Sequence, residues 1–164
     1  MKISRDSFIV IFIVVFIAAV LLITNCWADS ETAEAWVICH PASYVNARMK
    51  PSGRSESIGM LEAGYLVHLD GKVKKGFAHC VDMALESKEG WLSAGYLVFD
   101  EPLWLNGAWY RVDAGGRVAA RKCVDGKRLN WLKDGTRLQV FWLSNDWCVT
   151  TRGFVRTEYL KEDP

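Results

Sequence analysis

The chain has little of what most function classes require. It has almost no net charge: 20 Lys and Arg stand against 19 Asp and Glu in 164 residues. Taking away residues 1–28 removes Lys2, Arg5 and Asp6 and leaves 18 basic against 18 acidic side chains. Binding nucleic acid over a whole surface depends on neutralising phosphates, so a neutral chain argues against a nucleic-acid partner. There are only 4 Pro and 3 His. After position 30 no window of eleven residues keeps a helical period, which excludes an amphipathic-helix fold. Only one long apolar run occurs, Phe8 to Ile23.

That run follows Lys2 and Arg5 and ends in Thr24-Asn25-Cys26-Trp27-Ala28, with small residues third-last and last before Asp29. Basic, apolar and small-x-small in that order is the pattern of a secretory signal peptide. An uncleaved membrane anchor through residues 8–23 is one alternative, although sixteen apolar residues fall short of the roughly twenty a spanning helix needs. A lipoprotein signal at Cys26 is another, opposed by Asn25, where such signals carry Gly, Ala or Ser. All three place residues 29–164 outside the cytoplasm. Four cysteines remain there, Cys39, Cys80, Cys123 and Cys148. In an exported chain an even number of cysteines reads as disulfides, with three possible connectivities.

What the sequence has in quantity is Trp, 8 in all, and a repeat. Trp36-Val37-Ile38-Cys39 matches Trp109-Tyr110-Arg111-Val112, and Val45-Asn46-Ala47-Arg48 matches Val118-Ala119-Ala120-Arg121. Leu61-Glu62-Ala63-Gly64 matches Leu132-Lys133-Asp134-Gly135. Gly90-Trp91-Leu92 with Tyr96-Leu97 matches Gly153-Phe154-Val155 with Tyr159-Leu160. Two units follow, residues 36–99 and 109–161, joined by a linker at 100–108. Short β-favouring runs such as Leu66-Val67-His68-Leu69 and Arg137 to Trp142 are punctuated by Asp70-Gly71, Lys75-Gly76, Glu89-Gly90, Asp125-Gly126 and Asp134-Gly135. The expected fold class is all-β: two small barrels in tandem behind an N-terminal hydrophobic helix at 1–28.

The repeat also selects a cysteine pairing. Cys39 aligns with Val112 and Cys80 with Thr150, so the second unit lacks both. Cys123 aligns with Lys50 and Cys148 with Ala78, so the first unit lacks both. Cysteines that come and go in twos are expected to pair as Cys39–Cys80 and Cys123–Cys148.

Each unit resembles the bacterial SH3-like (SH3b) domain, a small barrel common in exported bacterial proteins. The resemblance rests on Val45-Asn46-Ala47-Arg48 with Pro51 and Ser52, Ile58 to Gly64, Gly76-Phe77-Ala78, and Gly90 to Leu97. The second unit departs from it at Val124 and Glu158 and keeps it at Trp147, Gly153 and Tyr159-Leu160. The family is known for binding peptidoglycan stem peptides and cross-bridges, and other members bind proteins or act as spacers. The resemblance therefore implies a non-enzymatic binding module for peptidoglycan or another envelope polymer or protein, without a cofactor. The alternative is a membrane-anchored spacer or protein-interaction module. By motif position the groove aromatics are Phe77 and Tyr96 in the first unit and Trp147 and Tyr159 in the second, while Trp91 and Phe154 pack in the core. Residues 36–99 carry seven basic and six acidic side chains, residues 109–161 eleven and five. A +6 unit would attract an anionic polymer, a lipid headgroup or an acidic peptide. Cys39-His40 and His79-Cys80 carry the side chains for a thiol nucleophile or a zinc site. However, no length is left for a hydrolase domain, and neighbours on a strand point to opposite faces.

Overall fold

The computed structural model describes residues 32–163. The expected signal or anchor segment, residues 1–28 with the apolar run at 8–23, lies outside them. Among the described residues no helix is long and apolar enough to cross a membrane.

Among the described residues fourteen strands form two seven-stranded antiparallel sheets. The first contains β1 (Ala33–Val37), β2 (Val45–Arg48), β3 (Ser57–Leu61), β4 (Leu66–Lys74), β5 (Phe77–Asp82), β6 (Gly90–Ser93) and β7 (Leu97–Val98). The second contains β8 (Leu103–Val112), β9 (Arg117–Arg121), β10 (Arg128–Lys133), β11 (Arg137–Leu143), β12 (Trp147–Thr150), β13 (Gly153–Arg156) and β14 (Leu160–Glu162). Their orders are β3-β2-β6-β5-β4-β1-β7 and β10-β9-β13-β12-β11-β8-β14, so the two sheets share one topology. A short 3₁₀ turn precedes the last strand of each, at Ala94–Tyr96 and Thr157–Tyr159. β8 begins at Leu103, so the stretch expected as a linker, 100–108, is mostly strand.

The repeat is visible in the hydrogen bonds. Val37 and Val112 each accept a backbone N–H from the glycine of the following turn, Gly64 at 2.7 Å and Gly135 at 2.8 Å. Val37 pairs with Leu97 as Val112 pairs with Leu160. This register corrects the sequence match by two residues. Val37, and not Cys39, occupies the place of Val112, and Trp36 the place of Arg111. Arg48 and Arg121 each turn a guanidinium back onto their own turn, bonding the Ser55 carbonyl at 2.6 Å and the Gly126 carbonyl at 2.9 Å. The Val-x-Ala-Arg match thus marks an inward Val and Ala followed by a turn-closing Arg.

Alternation drives the strands. β2 and β6 alternate buried and half-buried residues, as does β5 over Phe77 to Val81. Residues from all seven strands of the first sheet meet in one core, including Val37, Ala47, Leu61, Leu69, Cys80, Leu92 and Leu97. A flat sheet cannot bring its two edges to one core, so the sheet curls around it. The ladder nevertheless stays open between β3 and β7, and likewise between β10 and β14. The expected closed barrels are therefore two curled, open sheets. The closing strands are short: β7 has two residues and β14 three, and each is laddered on one side only, to β1 and to β8.

A separate apolar cluster joins the sheets. Ile38 and Val98 of the first meet Trp147, Val149 and Phe154 of the second, flanked by Trp36, Tyr96, Val124 and Trp142. Burying each large apolar side chain contributes roughly 1.5–3 kcal/mol. Across this seam the Val124 N–H donates to the Gly95 carbonyl at 2.8 Å. The Asn145 N–H donates to Asp100 Oδ2 at 2.7 Å.

Gly153 shows why the second unit needs glycine at that point. Its φ is +109°, and a Cβ there would lie 2.4 Å from the Arg121 carbonyl oxygen. Gly153→Ala is expected to cost about 1–3 kcal/mol, read as a lower urea midpoint. Gly116→Ala, with nothing within 4 Å of the added carbon, is the control and should change stability by under about 0.5 kcal/mol.

Candidate functional site

Phe77 and Trp147 occupy equivalent places, each opening a strand and facing the end of its neighbour, Ser93 in one sheet and Arg156 in the other. Tyr96 and Tyr159 each close a 3₁₀ turn and accept a backbone N–H, from Ile38 and Asp113, at 2.9 Å. Their surroundings differ. Trp147 is 4% exposed and sits in the seam, with the Arg156 guanidinium 4.6 Å above its ring. Tyr96 is half-buried and meets Phe154 edge-on at 5.9 Å between centroids. Burial is the main cause of the raised pKa of its phenol. Phe77 is half-buried and Tyr159 exposed. Trp147 and Tyr96 line separate cavities, and neither Phe77 nor Tyr159 lines either of these. Phe154 is buried as expected of a core residue, but its core is the seam. Trp91 is only half-buried, tilted at 51° against the His79 ring with 4.7 Å between centroids.

Among the described residues, three cavities follow the seam. One of about 400 Å³ is mixed, with Asp100, Asp125, Asp146 and Arg156 beside the apolar Val98, Phe99 and Val124 around Trp147. One of about 170 Å³ lies among Cys39, His40, Tyr96, Lys122 and Phe154. The third, about 380 Å³, is walled by Trp104 and Trp142 of the second sheet and by Pro41, Glu62 and Ala63 of the first. Its two indoles lie 4.8 Å apart at 52°. Trp104 also stacks on Phe141 at 6.3 Å, and His40 meets Phe141 edge-on at 5.0 Å.

Local structure explains this groove. The register of β11 shifts between Val140 and Trp142 against both of its neighbours. Such a bulge re-aims side chains, which is why bulges collect near binding sites. Gly64 then makes room: a Cβ there would lie 2.9 Å from Trp142 Cη2. Trp142 Nε1–H is buried without an acceptor among the described residues. Trp104 remains 43% exposed. The sequence reading missed both indoles, because Trp104 stood in the supposed linker and Trp142 in a regular strand. The adjacent pair Phe141-Trp142, which breaks the alternation of β11, was the signal available.

The four cysteines of the described residues are free thiols, so the expected pairs Cys39–Cys80 and Cys123–Cys148 are absent. The cause is where each sulfur sits. Cys39 Sγ–H reaches the Ser43 carbonyl at 3.5 Å, and Cys148 Sγ–H reaches the Val155 carbonyl at 3.2 Å inside the second core. Cys123, in the β9–β10 turn, places its sulfur against Gly126 and Gly95. Burial pushes all four thiols up, Cys80 and Cys148 to about 12. His79 and Cys80 face opposite sides of β5. His79 Nδ1 is bonded to Asp70 Oδ2 at 2.9 Å, while Cys80 is fully buried. The Lys72 ammonium, 2.5 Å from the same carboxylate, and then His79 hold Asp70 well below the usual carboxylate range.

Neither a protein-family model nor a curated protein matches the sequence. Among the solved structures that are similar are those of NlpC1 and NlpC2 from Trichomonas vaginalis, at 12% and 11% identity, both with a TM-score of 0.37. The match covers 83% of this chain and 48% and 50% of theirs, so the chain spans about half their length.

Trp147→Ala should destabilise the chain by about 3–5 kcal/mol. Tyr159→Ala should cost under about 1 kcal/mol, both read by urea unfolding. Alkylation without reductant, mapped by peptide mass, should label Cys123 first and Cys39, Cys80 and Cys148 only after denaturation. Recovery of any of these four as a linked pair would contradict the thiol assignment.

Proposed function

We propose that the chain is an exported, non-enzymatic binding module, built from two SH3-like units, that recognises peptidoglycan or another component of the cell envelope. The observation that carries this reading is the groove walled by Trp104 and Trp142. It has the size and the largely apolar lining of a small-ligand site, with one charged group, Glu62, at its side. Indole faces receive apolar C–H surface at low entropy cost and attract cations. Stem peptides and cross-bridges offer both small methyl groups and free amines, and Glu62 supplies a counter-charge for an amine. Because each sheet contributes part of the wall, the ligand would be held by the pair of units and not by one.

The non-enzymatic part of the reading draws on the thiols. A nucleophilic cysteine needs a lowered pKa, and burial moves these the other way. His79 has an orienting carboxylate in Asp70, but among the described residues neither a hydroxyl nor a thiol is hydrogen-bonded to it.

Co-sedimentation of the full chain with purified peptidoglycan tests the proposal. Wild-type protein should pellet, and Trp104→Ala should weaken binding by about tenfold or more with an unchanged circular dichroism spectrum, as loss of a central aromatic anchor does. Wild-type protein that stays in the supernatant would favour the spacer role instead.

A further inference from the structure

The two sheets use one equivalent surface in opposite ways. In the first sheet, Trp36 lies across from Leu66 of β4 on one side and Val98 of β7 on the other. Trp36 and Val98 belong to the seam. In the second sheet the equivalent residues are Arg111, Arg137 and Lys161. Arg111 of β8 pairs with Arg137 of β11 and with Lys161 of β14. Directly paired residues point to the same side of a sheet, so three cations stand in one row across three strands. Neighbouring strands are about 4.7–4.9 Å apart. All three side chains are exposed. Like charges directly opposite one another destabilise a sheet, and this row holds two such pairs.

Little in the fold offsets the row. Arg137 is ion-paired with Asp163 and lies 5.2 Å from the centre of the Trp109 ring. Among the described residues Arg111 and Lys161 have no ion-pair partner. Trp109, 47% exposed, stands two residues from Arg111 on the same face and opposite Gln139. The face therefore presents two uncommitted cations beside an indole that Arg137 helps to position.

We propose that the outer face of β11, β8 and β14 is a second binding site, for an acidic polysaccharide. Arg111 and Lys161 take successive anionic groups, and Trp109 receives the C–H face of a sugar ring. Charge complementarity selects the polyanion. The makeup of the face selects a hydrated polymer over a membrane: insertion into lipid scales with buried apolar area, and the indole's neighbours here are Gln139, Arg111, Arg137 and Asp163, whose carboxylate is neutralised by Arg137. The site is separate from the Trp104–Trp142 groove and does not rest on the peptidoglycan reading.

The test is titration of the full chain with dextran sulfate and polygalacturonate, with neutral dextran as the blank, across a salt series. Wild-type protein should bind both acidic polymers and not dextran. Arg111→Gln with Lys161→Gln should weaken binding by about tenfold or more and lower the log–log salt slope by about one to two, the loss of two counter-ion contacts. Arg111→Lys with Lys161→Arg should restore most of the affinity, and Trp104→Ala should leave it unchanged. Lys74→Gln with Lys88→Gln, two exposed charges of the first unit, should have little effect. Four results would overturn the proposal: no binding by wild type, full binding by the Arg111/Lys161 variant, an equal loss in the Lys74/Lys88 variant, or equal affinity for phosphatidylglycerol vesicles or duplex DNA. Urea midpoints should show the Arg111/Lys161 variant at least as stable as wild type, since like-charge repulsion is relieved.

Discussion

The contact on which the molecule depends is the seam, where Trp147 and Phe154 of one sheet close on Ile38 and Val98 of the other. Each sheet alone is a small, open, curled surface with its own core, and units of this size are marginal because they bury too small a fraction of their surface. The seam adds a third apolar cluster, and the two sheets become one compact unit. It also creates the cavities, all three of which are lined by residues from both sheets.

Duplication followed by divergence is legible in the registers. Strand order, turn-closing arginines and tyrosine carbonyl acceptors are the same in both copies. What differs is the outward face of the three strands that meet at β1 or β8. In the first copy it carries Trp36 and Val98 and becomes an internal interface. In the second it carries Arg111 and Lys161 and stays in water. An apolar row there would leave a second sticky face with no sheet to cover it. The cations keep that face from being an exposed apolar patch.

The thiols follow the same logic. Buried cysteines act as small apolar side chains with a weak S–H donor, and Cys148 does so with its sulfur on the Val155 carbonyl. With these four thiols free, the apolar burial that holds the described residues together lies in the two cores and the seam.

The sequence by itself determined the β class, the duplication and its turns, because alternation and glycine-marked turns are local properties. It also located Gly153, whose need for a missing side chain is set by one nearby strand. It misplaced the first match by two residues, since Trp36 and Trp109 look alike and only the hydrogen-bond register shows that Trp36 stands where Arg111 does. Which aromatics are walls and which are core was decided by tertiary structure. Trp147 and Phe77 occupy the same place in the repeat, yet one is sealed into the seam while the other is half-exposed. The Trp104–Trp142 groove and the Arg137–Arg111–Lys161 row join residues 38 and 50 positions apart. No local pattern brings such residues together; a bulge in β11 and the pairing of β8 with two partners do.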